Sequence, residues 1–220
     1  MTENCNCSDA AFISSVEGFE AFPHLVRLIA RGEPVEISEV AEIAQLPAAE
    51  VERTLRAQPG TDWDDAGRLL GFGLTLRPTE HRYIVSGRTL FTWCATDTLL
   101  FTLILGVGAL VESTCPATGR QIRVELDPDA VISVEPRQAV ISQRQPGAEV
   151  GNLRSEICDE GHFYSSRAAA QGWAGEHPEG EVLSVTDAFE RCRQACAELG
   201  WLSARAVLAG SPAASPPGSR

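Results

Sequence analysis

The sequence predicts an α+β fold: a helical N-terminal unit followed by a β-rich core with flanking helices. Short amphipathic segments punctuated by helix start and stop signals fill residues 22–57, and alternating apolar patterns separated by turn residues recur between 109 and 142. An apolar run near 100 and a periodic segment near 190 supply the flanking helices. With 220 residues, 44% of them hydrophobic, the chain can bury a sizeable core in one or two compact units.

In chain order, His24 to Ala30 places Leu25, Val26, Ile29 and Ala30 together, and Gly32 supplies a stop. Ser38 is positioned to cap a second helix with Val40, Ile43 and Ala44 inward, and Pro47 opens a third with Val51 and Leu55 as its stripe. Thr61 to Leu76 reads as a two-stranded ribbon, which completes the order of a winged helix. A second unit begins near Arg88. Phe91 to Leu105 reads as a buried helix that starts near Thr92 to Cys94 and stops at Gly106 to Gly108. Strands follow at Ala109 to Cys115, Gln121 to Leu126, Val131 to Val134 and Ala139 to Ser142, with a Pro-Ala-Thr-Gly turn at 116–119. Ile157 to Ser165 is a further candidate strand, Ser166 to Trp173 a short helix, Val182 to Val185 a strand and Thr186 to Leu202 a closing helix. The expected organisation is a mobile start at 1–15, a winged-helix-like domain at 16–87, a catalytic core at 88–207 and a disordered tail at 208–220, the two ends being rich in small, polar and Pro residues.

Composition excludes several function classes. All 18 basic residues are Arg, and against 30 acids they leave a net charge of -12, which repels polyphosphates. Residues 1–80 hold fourteen acids against six Arg, so the winged-helix-like unit lacks a basic face and reads as scaffold or lid rather than as a nucleic-acid binder. The longest apolar stretch, Leu99 to Val111, is thirteen residues, short of the ~20 that span a bilayer, so no membrane role is expected. Seven Cys in an odd count at irregular spacings do not form a secreted disulfide framework, and no signal peptide precedes them; a reducing cytoplasm is the expected location.

The cysteines are also where chemistry can reside. Cys94 and Asp97 are three apart at a helix start, so their side chains share a face. The positive end of the helix dipole is expected to lower that thiol from ~8.5 toward ~7. The same position also reads as a small apolar residue packed beside Trp93. Cys158 precedes an acidic, Gly-containing turn and His162; with no Cys-x-x-Cys pair, structural zinc is disfavoured, and two thiols from distant segments suit a soft, low-coordinate metal. His162 reads as a hydrogen-bonded structural residue and Cys115 as a packed, inert thiol. Cys192 and Cys196, four apart on one helical face with Phe189 and Leu199, read as core. Cys5 and Cys7 are either a thiophilic capture pair or incidental.

The strings Arg88-Thr-Leu-Phe-Thr-Trp-Cys94-Ala-Thr-Asp97-Thr-Leu, Cys115-Pro-Ala-Thr-Gly and Cys158-x-x-x-His162-Phe-Tyr resemble the organomercurial lyase (alkylmercury lyase) family. The resemblance runs from about Phe22 through Leu202, including Val134-Glu-Pro136 and the stretch from Ser184 to Phe189. It implies that Cys94 and Cys158 bind mercury, that Asp97 handles the proton beside the metal, and that Cys115 is structural. The implied reaction is protonolysis of the carbon–mercury bond of alkyl- and arylmercury compounds to hydrocarbon and Hg(II), in mercury detoxification. Mercury is then substrate and product, so no cofactor is implied; low-molecular-weight thiols or a mercuric reductase would accept the Hg(II). Asp159 and Glu160 stand where some members carry Cys and His, which touches product handling rather than the core trio. The alternative is a non-catalytic thiolate protein, a soft-metal carrier or sensor, which would need the cysteines but not Asp97. A thiol hydrolase using Cys94 as nucleophile would need a base, for which His162 is the visible candidate.

Overall fold

The computed structural model describes residues 21–144 and 152–202. The expected mobile start with Cys5 and Cys7 and the tail at 208–220 lie outside the described residues. Three helices open the chain: α1 (Phe22–Ile29), α2 (Ile37–Ala44) and α3 (Ala48–Ala57). α1 buries Phe22, Leu25, Val26, Leu28 and Ile29, and Pro23 sits in its first turn, where no amide partner is lost. α2 is capped differently from the expectation at Ser38. Glu36, in extended conformation, is the N-cap, and its amide donates to the Glu39 carboxylate at 3.4 Å, leaving Ser38 inside the first turn. Two carboxylates at the positive end of the helix outcompete one hydroxyl. Pro47 caps α3, which buries Val51 and Leu55 as expected.

Among the described residues, one antiparallel sheet of eight strands holds the molecule together, in the order β1-β2-β3-β5-β4-β6-β7-β8. Its members are β1 (Asp62–Trp63), β2 (Leu69–Phe72), β3 (Leu74–Thr75), β4 (His81–Val85), β5 (Arg88–Thr92), β6 (Ala109–Thr114), β7 (Gln121–Asp127) and β8 (Ala130–Glu135). The ribbon expected at 61–76 is three short strands rather than two, and β3 pairs directly with β5 through Leu74↔Thr92. The sheet therefore continues without a break from the N-terminal unit into the core. A second sheet orders β10 (Phe163–Tyr164), β9 (Val140–Gln143) and β11 (Glu181–Ser184).

The helix expected from Phe91 begins only at Ala95: α4 spans Ala95–Leu105. Residues 88–92 instead form β5, because Ser86 and Gly87, both at positive φ, turn the chain back so that Arg88 pairs Val85 and Thr92 pairs His81. Nine of the eleven α4 residues are buried, so this helix is enclosed on nearly every side, packed against α1, β4, β5, β7, β9 and the closing helix α7 (Val185–Glu198). Its threonines are compatible with burial because Thr98 and Thr102 donate back to Ala95 and Thr98 carbonyls at 2.6 and 2.8 Å. Gly106 at φ 67 ends it.

Two further expectations are corrected. Of the strand expected at 157–165 only Phe163–Tyr164 is extended; the preceding residues form α5 (Leu153–Glu156) and a 3-10 turn at Cys158–Glu160. The helix expected at 166–173 is α6, displaced to Gln171–Glu176. α7 begins after Ser184, whose hydroxyl accepts from the Asp187 amide at 3.0 Å. No helix among the described residues is long and apolar enough to cross a membrane.

His81, on β4, is 2% exposed, and its Nδ1 lies 2.9 Å from the Ser113 hydroxyl on β6. Burial, followed by the neighbouring His162, drives its pKa down to about 3 against the opposing influence of the Gly161 backbone. The unfolded chain takes up a proton near pH 6.5 that the folded chain refuses, so this contribution to stability is complete above that pH and lost as pH falls toward 3. Urea titrations at pH 7, 6 and 5 should show the wild type losing roughly 0.7 kcal/mol more than His81→Phe between pH 7 and 6 and roughly 1.2 kcal/mol more between pH 6 and 5, approaching about 1.4 kcal/mol per pH unit only well below pH 6.5. Equal slopes would remove His81 as the acid-sensitive group.

Candidate active site

Cys94 is the N-cap of α4, held at φ -136 and ψ 170 by the end of β5. The Trp93 amide donates to Gly73 O at 2.9 Å and the Thr92 hydroxyl to Cys94 O at 2.8 Å, so the backbone on both sides of the thiol is tied down. Cys94 and Asp97 form a reciprocal capping box in which the Asp97 amide donates to Cys94 Sγ at 3.3 Å and the Cys94 amide to Asp97 Oδ2 at 3.2 Å. Ser or Thr with Glu or Gln usually fill these positions. Here the residues that satisfy the helix end also offer a soft sulfur and a carboxylate on one face.

Cys158 arrives from the other side on the 3-10 turn after α5. Gly161 holds that turn against Cys94: its amide donates to Cys158 O at 2.9 Å, and its carbonyl accepts from the Ala95 amide at 2.8 Å. A Cβ at Gly161 would lie 2.8 Å from Cys94 Cβ, so only glycine allows this approach. Ser142 on β9 clamps the turn from behind, its hydroxyl donating to Glu160 O at 2.9 Å and accepting from the His162 amide at 3.0 Å.

The outcome is a group in which Cys94 Sγ, Cys158 Sγ and an Asp97 carboxylate oxygen all lie within 4.8 Å of one another. Both thiols are buried and Asp97 is half-buried. Among the described residues no other group of three Cys, His, Asp or Glu side chains meets this spacing. Cys115, His162, Cys192 and Cys196 therefore stand apart from it.

The dipole argument for a lowered Cys94 pKa is overturned. The hydrogen bond with the Cys158 side chain, then burial, then the charges of Asp97 and Cys158 push the thiol well above its ordinary value, and the Asp97 amide opposes them without prevailing. The resting site therefore holds the Cys94 proton. Cys115 shows the opposite balance at the end of β6. Burial pushes it up, but the Thr118 and Ser165 hydroxyls and the Ser165 and Ala117 amides bring it down to about 7, within a fully enclosed setting. It is packed as expected, though its surroundings favour the thiolate. The hydrogen bond expected of His162 is also absent from its ring Nδ1, which is buried and faces Glu80 Oε2 only at 3.6 Å. Cys192 and Cys196 are buried on α7. Of the supporting residues, Gly161 is visible in sequence only as a turn glycine, and nothing local marks Ser142.

Residues 74–196 match the alkylmercury lyase family and residues 19–73 the helix-turn-helix domain of alkylmercury lyase. Curated relatives named alkylmercury lyase include one from Staphylococcus epidermidis, 43% identical over 169 residues, covering 77% of this chain and 78% of the relative. One from Streptomyces lividans is 43% identical over 166 residues, covering 76% of this chain and 77% of the relative. Another, from Pseudomonas putida, is 39% identical over 168 residues, covering 76% and 79%. In fold, the chain is similar to the solved mercury-bound form of MerB2, with a TM-score of 0.71 at 24% identity over 88% of this chain and 96% of that one. With one family spanning the helical unit and the core alike, the chain belongs to the alkylmercury lyases.

Proposed function

We propose that Cys94, Asp97 and Cys158 are the groups with which this enzyme cleaves the carbon–mercury bond. The observation that carries the reading is the convergence of two buried thiols and one carboxylate within 4.8 Å. A soft metal prefers thiolate, and two sulfurs can reach one mercury at this spacing. Cys94 binds R-Hg(II) by displacing its outgoing ligand, which leaves with the Cys94 proton. Cys158 adds as the second sulfur, and its proton passes to Asp97. Two sulfur donors raise electron density on the carbon bonded to mercury. Asp97 then delivers its proton to that carbon as general acid, the carbon–mercury electron pair becomes the new carbon–hydrogen bond, and hydrocarbon leaves. The two thiol protons end on hydrocarbon and on the displaced ligand, and Hg(II) remains bridged by Cys94 and Cys158.

The raised Cys94 pKa fits this accounting, because the site begins with protons in place rather than drawing them from water. The route uses mercury as substrate and calls for no resident cofactor. Exchange with low-molecular-weight thiols, or with the cysteines of a mercuric reductase, would remove Hg(II), and reduced thiols of that kind belong to the cytoplasm. In this reading residues 88–207 carry the chemistry and residues 16–87 support it.

Headspace chromatography of the purified protein with phenylmercury or methylmercury and excess thiol should detect benzene or methane over many turnovers. Asp97→Asn should bind Hg(II) yet lose about 100-fold or more in cleavage, in keeping with removal of a general acid. Cleavage by that variant at the wild-type rate would exclude Asp97, and stoichiometric binding without hydrocarbon from the wild type would leave a thiolate carrier. Cys94→Ser should abolish turnover, since a hydroxyl is a poor ligand for a soft metal. Gly161→Ala should separate the Cys158 turn from Cys94, lower stability by about 1–3 kcal/mol and slow cleavage at least tenfold, roughly the penalty of an ångström's misplacement or less. An alanine variant that cleaves normally would show that this close approach is dispensable.

A further inference from the structure

Asp62 lies on β1, in the N-terminal ribbon, yet its carboxylate collects donors from segments far along the chain. Oδ2 accepts from the Thr75 hydroxyl at 2.8 Å and from Trp93 Nε1 at 3.2 Å. Oδ1 accepts from Arg154 Nη1 at 3.0 Å and faces Arg77 Nε at 3.6 Å. The residue is 8% exposed, so this carboxylate is a buried node with partners on both oxygens.

Two of these donors are placed where they matter. Trp93 directly precedes Cys94, and Arg154 stands on α5, in the short segment that leads into the Cys158 turn. The Arg154 guanidinium also lies over the Trp93 ring, 4.9 Å from its centroid, which closes a triangle of Asp62, Trp93 and Arg154. Arg154 Nη1 donates in addition to Gly60 O at 3.1 Å. At Gly60, φ is +91 and a Cβ would lie 2.6 Å from Arg154 Cβ, so the loop before β1 is shaped to receive this arginine.

We propose that Asp62 is a positioning residue for the reaction: from the winged-helix-like unit it sets the spacing between the Cys94 and Cys158 segments, and so whether both thiols can share one mercury. The inference rests on the assignment of those two thiols as the mercury ligands. It gives the N-terminal unit a task that matches its acidic charge, since a carboxylate there gathers Trp93 and Arg154 while a basic surface for nucleic acid is missing. Displacements of about an ångström in such a constellation cost on the order of 100-fold in rate, without direct contact between the displacing residue and the substrate.

The test uses the full chain with Asp62→Asn, which keeps the shape but loses the charge, and Arg154→Met, which keeps the stem but loses the guanidinium. Four quantities are read at a temperature well below each melting transition: kcat and KM for phenylmercury, the ultraviolet sulfur-to-mercury charge-transfer absorbance after addition of Hg(II) alone, and the rate at which excess small-molecule thiol strips that Hg(II). The expected result is folded variants with kcat at least about tenfold lower, KM within about threefold of the wild type, and Hg(II) stripped about tenfold faster. Folded variants with wild-type kcat and wild-type Hg(II) retention would overturn the proposal, as would a kcat that falls only in proportion to the unfolded fraction. If Asp62→Asn fails to fold, Arg154→Met decides by the same criteria. Should the wild type release no hydrocarbon, the protonolysis assignment fails, while the Hg(II) retention comparison still decides whether Asp62 sets the thiol spacing.

Discussion

The arrangement of this protein depends on the two reciprocal hydrogen bonds between Cys94 and Asp97 at the start of α4. A helix end inside a protein must find partners for its free amides, and any side chain that does so is held in place by the whole helix. α4 is the most enclosed of the described helices, so its first turn is anchored by the core rather than by a surface loop. Giving the capping positions to Cys and Asp lets the residues that close the helix end also gather a thiol and a carboxylate into one group. Gly161 adds the third member by joining its carbonyl to the next free amide, that of Ala95.

The electrostatics of two enclosed thiols, Cys94 and Cys115, show how local donors and neighbours compete. Both receive hydrogen bonds from backbone amides. At Cys94 a single amide opposes a second thiol, burial and a carboxylate, and the proton is retained. At Cys115 two hydroxyls and two amides oppose burial with no carboxylate among the opposing groups, and the balance tips toward thiolate. The same residue type is thus held as a protonated thiol in one place and as a hydrogen-bond acceptor that fastens the 117–118 turn to Ser165 in the other.

Much of this was legible in the sequence. Helices α1 and α3 and strands β6 and β7 follow from apolar periodicity and turn residues, because each buries one face. By contrast, α2 buries Val40 and Ala41 and leaves Ile43, expected inward, exposed. β8, with no buried residue, and β9, buried throughout, are legible mainly from the turns around them. The trio Cys94, Asp97 and Cys158 stood out through spacing and family resemblance. What escaped was set by partners distant in the chain. Phe91 and Thr92 run directly into the apolar helix that follows, and only the turn at Ser86-Gly87 and pairing with β4 make residues 88–92 a strand. The segment after Ile157 looks extended, but closure onto Cys94 requires a tight turn there. The Cys94 pKa was misjudged because a helix dipole can be inferred from local sequence, whereas a neighbouring thiol contributed by residue 158 cannot. Ser142, Gly60 and Asp62 act through contacts that no local pattern encodes.

The remaining described cysteines acquire meaning from what the reaction releases. Hg(II) binds any accessible thiol, so an enzyme that generates it is exposed to poisoning by its own product. Cys115 and Cys196 have no solvent-accessible surface, whereas Cys192, at 7%, is as accessible as Cys94 and Cys158 at 6% and 5%. Metal freed by the reaction meets neither Cys115 nor Cys196 unless the core opens locally, which is rare where packing is dense. The burial of Cys115 and Cys196 therefore acts as chemical insulation, keeping two thiols of the core apart from the metal that the reaction sets free.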